Sequence, residues 1–177
     1  MLFTGKGDSG TTKFFDSGQS RTSKTSAISE ALGALDELNA VIGFVKIRGR
    51  EERRIAIPLR EVQECLFIVQ AEVAGADKKI LRTTVKGIEK LINTIEKEIP
   101  PIKGFSIAGG TELSALLDVA RTISRRTERR VIAAIETGRA VSEHSRAYLN
   151  RLSSLLFALA RLANHLGGIK EETPSYK

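Results

Sequence analysis

A chain of 177 residues with 41% hydrophobic side chains is long enough to bury one substantial core, and no apolar run approaches the ~20 residues that cross a bilayer. Lysine and arginine number 28 against 21 acids, and the net charge of +7 allows an anionic partner without naming one. A single cysteine excludes an internal disulfide, the isolated His144 and His165 offer no metal-ligand spacing, and the lack of Trp leaves few stacking platforms for nucleic acid.

The opening Met-Leu-Phe-Thr-Gly-Lys-Gly-Asp has no signal-peptide h-region, so a cytoplasmic protein is expected. Residues 1 to about 24 carry Gly5, Gly7, Gly10 and Gly18 among Thr, Ser, Lys and Asp and read as a loop. Its segment Thr4-Gly-Lys-Gly-Asp-Ser-Gly-Thr-Thr12 offers glycine-freed N–H groups, hydroxyls and Lys6, all suited to phosphate. It lacks the GxxxxGK[ST] spacing of a P-loop. Phosphate binding and plain flexibility both stand at this point. Arg21 and Lys24 extend the positive charge.

A helical stripe follows from about Ser26 to Val45 through Ile28, Ala31, Leu32, Leu35, Leu38, Ile42 and Val45. Gly33 and Gly43 inside it suggest close approach of a neighbour. Pro58 suits the first turn of a second helix that runs to about Ala74. There Cys65 reads as a small buried hydrophobe rather than a nucleophile. A third helix, capped by Thr83 or Thr84, stops at Pro100-Pro101.

Phe105-Ser-Ile-Ala-Gly-Gly-Thr111 is a turn with Thr111 as N-cap. The helix behind it, to about Glu136, holds Arg121, Arg125, Arg126, Arg129 and Arg130. Arg121, Arg125 and Arg129 share one edge with Glu128 beside them, and guanidinium groups so spaced repel unless anions sit between them. A solvated basic face and a polyphosphate clamp are both consistent with that edge. The last helix, about His144 to Leu166, has one leucine face. A second strip of Asn150, Ser153, Phe157, Ala160 and Asn164 suits packing against another subunit.

No strand-period segment appears. The expected fold is all-α: a single domain over 1–177, with a five-helix bundle of ferritin-like, four-helix-bundle-type packing at 25–168. A long glycine-rich loop (1–24) precedes it, and a mobile tail (169–177) follows.

Four separated pieces resemble one family. Thr4-Gly-Lys-Gly-Asp-Ser-Gly-Thr-Thr12 resembles its TKTGDxGxT loop, and Asp36-Glu-Leu-Asn39 its DELNA helix. Ser124-Arg-Arg-Thr-Glu-Arg-Arg130 resembles its RRAER motif and Leu149-Asn-Arg-Leu-Ser153 its LNRLSD motif. The family is the PduO-type ATP:cob(I)alamin adenosyltransferases, and the pieces cover most of the chain in order.

The resemblance implies transfer of the 5′-deoxyadenosyl group of ATP to the cobalt of cob(I)alamin with release of triphosphate. It further implies a homotrimer with ATP and Mg²⁺ between subunits, a possible cobalamin-reducing partner, and neither a nucleic acid nor a membrane partner. Thr4, Gly5, Lys6, Gly7, Thr11, Thr12 and Lys24 would hold ATP from one subunit. Arg125, Arg126, Glu128, Arg129 and Asn150 would meet it from the next. Arg121 matches an arginine that pairs with the carboxylate at Asp36, and Phe105 an aromatic that displaces the lower cobalt ligand. Two positions depart from the pattern: Ala108 stands where the family usually has proline, and Ser154 where it commonly has aspartate. Both lie on the corrinoid side. An ATP-binding trimer that carries a corrinoid without catalysis is the alternative from another class, and a nucleic-acid-binding bundle is a third.

Overall fold

The computed structural model describes residues 2–16, 18, 20–102 and 104–176. Met1, Ser17, Gln19, Lys103 and Lys177 lie outside the described residues, and with them those parts of the expected loop and tail. Five helices occupy most of the chain: α1 (Ala27–Arg48), α2 (Arg53–Val73), α3 (Arg82–Glu98), α4 (Glu112–Glu136) and α5 (Glu143–Leu166). Helix α4 packs between α1 and α5, α2 covers α1, and α3 covers α5. None of the described helices is long and apolar enough to cross a membrane.

The apolar stripes read from the sequence are the ones that meet. Leu35, Leu38 and Ile42 of α1, Ile55, Leu59 and Leu66 of α2, and Leu117 of α4 are fully buried with Leu152 and Leu156 of α5. Each such side chain contributes about 1.5–3 kcal/mol on leaving water. Three helices start on hydroxyl caps: Ser26, Thr111 and Ser142 accept from the amides of Ser29, Ser114 and Ser145.

Several boundaries differ from expectation. Helix α2 begins at Arg53, capped by Glu52, so Pro58 lies inside it and is buried. Burial of Ile55 against the core gives the extra turn its stability, and the proline's missing N–H leaves only one carbonyl unbonded. Helix α3 starts at Arg82 with no side-chain cap, so neither Thr83 nor Thr84 has that role. Helix α1 continues to Arg48, one turn past Val45. The N-terminal loop contains a short antiparallel pair, β1 (Thr11–Thr12) with β2 (Thr22–Ser23). Gly43 does meet a neighbour, the Gln63 side chain, whereas a Cβ at Gly33 would find no described atom of another element within 4 Å. The α5 strip is divided: Ser153, Ala160 and Asn164 are buried within the protomer and Asn164 bonds to the Gly109–Thr111 turn, while Asn150 is exposed and Phe157 half-buried.

One carboxylate ties the far end of the bundle. Glu72 on α2 is buried and accepts from the Ser142 amide at 2.7 Å, from the Ser142 hydroxyl at 3.3 Å and from the Ser145 hydroxyl. It joins the end of α2 to the start of α5 by giving a buried carboxylate its hydrogen-bond donors. Glu72→Ala is expected to lower unfolding stability by about 2–4 kcal/mol, read from urea titration. A loss below about 0.5 kcal/mol would show that the cluster is incidental.

Candidate functional site

Three pieces of chain carry the candidate site residues. The first is the N-terminal arm, which is more ordered than its composition suggests. Gly5 and Gly10 adopt φ of 68° and 76°, a region that side-chain-bearing residues avoid. The guanidinium of Arg21 reaches across the turn to the Thr11 hydroxyl at 2.7 Å and to the backbone carbonyls of Lys6 at 2.6 Å and Thr11 at 2.7 Å. Lys24 closes the same loop, its amide donating to Gly10 O at 2.9 Å. Its ammonium lies over Gly7, where an added Cβ would come within 2.9 Å of Nζ. Thr4, Gly5, Lys6, Gly7, Thr11, Thr12 and Lys24 therefore form one cradle. Arg21 staples it.

The far end of the arm is anchored to the bundle. The Phe15 amide donates to Ala74 O at 3.0 Å, and Asp16 pairs with Arg139. The Arg139 guanidinium stands 5.9 Å from the centre of the Phe14 ring.

The second piece is α4, where tertiary structure sorts the arginines into two groups. Arg126 pairs with Glu37 at 2.6 Å and Arg130 with Glu30 at 3.8 Å, both acids lying on α1. Arg121 pairs with Asp118 at 2.8 Å, one turn earlier on its own helix, and lies 5.8 Å from the Phe157 ring centre. Asp36 is exposed and has no ion-pair partner among the described residues; Arg121 faces Asp118 instead, so the expected Arg121–Asp36 pair does not form within one chain. Arg125 and Arg129 are exposed, and neither has an ion-pair partner among the described residues. Glu128 accepts from Asn150 Nδ2 at 2.9 Å. Asn150 Oδ1 in turn accepts from Arg151, which also reaches Glu89 at 3.1 Å.

The third piece is the segment between α3 and α4. Phe105 is exposed and shares a cavity of about 420 Å³ with Arg121, Arg125, Ser154 and Phe157. The following turn needs glycine: Gly109 and Gly110 have φ of 115° and 112°, and a Cβ at Gly110 would strike the Asn164 amide. Asn164 fixes that turn by donating to Gly109 O at 2.9 Å and accepting from the Thr111 amide at 3.0 Å. Ala108 precedes it, so the turn is held here by an α5 side chain without a proline.

The structure thus joins Phe105, Arg121 and Arg125 around one cavity, and Glu128 with Asn150 beside it. It does not join the arm to the arginine row: no hydrogen bond or ion pair links the cradle residues to α4 of the same protomer among the described residues. Arg21, Phe157 and Asn164 are contributors that sequence reasoning did not assign. Cys65 is half-buried beside Tyr148, and burial raises its thiol pKa, which fits a packing role rather than a nucleophile.

A family model described as cobalamin adenosyltransferase matches residues 2–163. The chain is 37% identical to the corrinoid adenosyltransferase of Mycobacterium tuberculosis (strain H37Rv), over 95% of this chain and 91% of that protein. It is 35% identical to the corrinoid adenosyltransferase of Bacillus subtilis, over 95% of this chain and 89% of that one. Among solved structures it superposes on a phenylalanine-to-alanine variant of a PduO-type ATP:corrinoid adenosyltransferase from Lactobacillus reuteri, complexed with cobalamin and ATP. That match has a TM-score of 0.91 at 28% identity and covers 99% of both chains.

Removing the Arg21 staple tests whether the cradle is held as described. Arg21→Ala is expected to speed amide exchange at Lys24 by about tenfold or more while thermal unfolding stays within a few degrees. An exchange rate within about twofold of wild type would contradict the assignment.

Proposed function

We propose a function from one premise: this chain belongs to the cobalamin adenosyltransferase family. It is a corrinoid adenosyltransferase, transferring the 5′-deoxyadenosyl group of ATP to the cobalt of a reduced corrinoid and releasing triphosphate. The observation that carries the residue assignments is the sorting of the α4 arginines. With Arg121, Arg126 and Arg130 each facing an acid, Arg125 and Arg129 are left without an ion-pair partner among the described residues.

The division of labour follows from the reaction. Cob(I)alamin is itself a strong nucleophile, so the protein has to aim carbon 5′ at cobalt and stabilise charge on the departing triphosphate. Arg125 and Arg129, with Arg126 when it exchanges Glu37 for phosphate, supply bidentate donors for that charge. The cradle from Thr4 to Thr12 adds backbone N–H groups, with Lys6 and Lys24 as point charges. Glu128 and Asn150, already bonded to each other, present an acceptor and an amide to the nucleoside. Mg²⁺ belongs to the substrate here, riding on the triphosphate oxygens. Among the described residues no cluster of three His, Cys, Asp or Glu side chains is close enough to cage a metal by itself.

A shared site accounts for what one protomer leaves apart. Among the described residues no hydrogen bond or ion pair links the cradle to the arginine row of the same chain, and Asp36 has no ion-pair partner there. We assign both to a homotrimer, in which the arm of one subunit faces α4 of the next and Asp36 approaches a neighbour's Arg121. Exposed Phe44 and Ile47 on α1, with Val119 and Ile132 on α4, supply apolar area for such contacts. Phe105 lies at the mouth of the cavity and takes the lower face of the corrin ring, where an apolar ring displaces a cobalt ligand and makes Co(II) easier to reduce. ATP and a Co(I) corrinoid both belong to a reducing, ATP-containing compartment, so the cytoplasm and a reductase partner complete the reading.

Incubation of ATP with chemically reduced cobalamin under strict anaerobiosis, followed by visible spectroscopy, is expected to give adenosylcobalamin; absence of product would remove the enzymatic reading. Arg125→Ala is expected to reduce ATP affinity or rate about ten- to a hundredfold, the equivalent of roughly 1.5–3 kcal/mol. Wild-type kinetics in that variant would count against the clamp. Phe105→Ala should slow reaction from Co(II) much more than from pre-formed Co(I), and equal losses would argue against ligand displacement.

A further inference from the structure

Arg161 is the one arginine of α5 that is almost wholly buried, at 6% exposure, and nothing in the adenosyl-transfer chemistry requires it. Its Nε donates to Glu171 Oε1 at 2.7 Å, and one terminal nitrogen donates to Glu171 Oε2 at 2.9 Å and to Pro100 O at 2.7 Å. Glu172, the next residue of the tail, accepts at its carbonyl from the Ile107 amide at 2.8 Å. These bonds close a ring. It runs from Arg161 on α5 to Glu171 and Glu172 in the tail, on to Ile107, back along the segment that carries Phe105, and through Pro100 to Arg161.

Phe105 sits within that ring with cavities on two sides: about 420 Å³ toward Arg121 and Arg125, and about 360 Å³ toward Arg161, His165 and Glu171. The ring side chain itself is 79% exposed, so its own packing does not fix its direction. Buried ion pairs contribute little net stability over an apolar replacement, and their best-attested use is to fix one arrangement out of several. Here the arrangement fixed is the path of the residues on either side of Phe105.

We infer that Arg161 and Glu171 are positioning residues for Phe105, latching the C-terminal tail across the α3–α4 segment so that the aromatic ring is held at the corrinoid face. The inference rests on the reading of Phe105 as the group that displaces the lower cobalt ligand. It makes the tail part of the corrinoid site, in contrast to the mobile end its composition suggests.

The test uses the full chain saturated with Mg-ATP, with Arg161→Gln, Glu171→Gln, Arg161→Lys and Phe105→Ala compared with wild type. Rates are measured from pre-reduced cob(I)alamin and from cob(II)alamin with a continuous reductant, and bound cob(II)alamin is examined by electron paramagnetic resonance for the four-coordinate form. Arg161→Gln and Glu171→Gln should lose about tenfold or more on the Co(II) route together with the four-coordinate signal. The Co(I) route and the KM for ATP should stay within about threefold, and Arg161→Lys should recover part of the loss. Because Glu171 is at the surface end of the pair, Glu171→Gln reports even if Arg161→Gln does not fold. Equal losses on both routes, or a Glu171→Gln protein with a full four-coordinate signal, would overturn the proposal. A Phe105→Ala protein that keeps the Co(II) route would instead remove the reading beneath it.

Discussion

Guanidinium groups set along one helix cannot stay uncompensated at no cost, and the protein is organised around how it settles that charge on α4. Five arginines fall within ten residues. Three are neutralised inside the protomer, by Asp118, Glu37 and Glu30. The pairs to Glu37 and Glu30 are half-exposed and contribute little to stability, whereas Asp118 is buried beside Arg121. Their effect is on selectivity: they leave Arg125 and Arg129 as the positions where an incoming polyanion gains most. In the clamp proposed above, a triphosphate at this edge would replace repulsion between neighbours with charge-assisted bonds, and the gain would grow as charge builds on the leaving group.

The remaining architecture keeps the other two components where such a site needs them. Arg21 holds the glycine arm in one shape before any ligand arrives, so less ordering entropy is lost on binding. The arm's distal end is fastened between the end of α2 and the α4–α5 loop through Ala74 O and Arg139. At the other end of α4, Asn164 and the Arg161–Glu171 pair hold the two halves of the segment that carries Phe105.

The sequence made the helices legible because their apolar periods are unbroken, and Thr111 as a cap and Glu136 as an end follow from local chemistry. Local chemistry failed where tertiary burial overrode it. Pro58 looks like a helix start, but Ile55 finds core to bury against and the helix begins earlier. The site residues emerged from their resemblance to a family pattern, whereas their partners did not. Arg126 and Glu37 are 89 residues apart, and Arg161 bonds to Pro100 across 61, separations at which neither periodicity nor motif spacing carries information. The tie between Glu171 and the bundle is no more legible, since its partner is an arginine buried in a leucine-rich helix. Within the α5 strip, Ser153, Ala160 and Asn164 meet their own protomer while Asn150 reaches the surface, a division that composition alone does not reveal.

The central claim is that one active site is built from two subunits, the cradle of one and the unpaired arginines of the next. Mixing two inactive variants after dissociation tests it directly: Lys24→Ala, which damages the cradle, and Arg125→Ala, which damages the clamp. If the halves come from different subunits, an equal mixture reassembled at random has both halves intact at roughly a quarter of its sites. Adenosylcobalamin formation should then recover to about that fraction of the wild-type rate. A mixture no more active than its two components would place both halves on the same protomer and contradict the account.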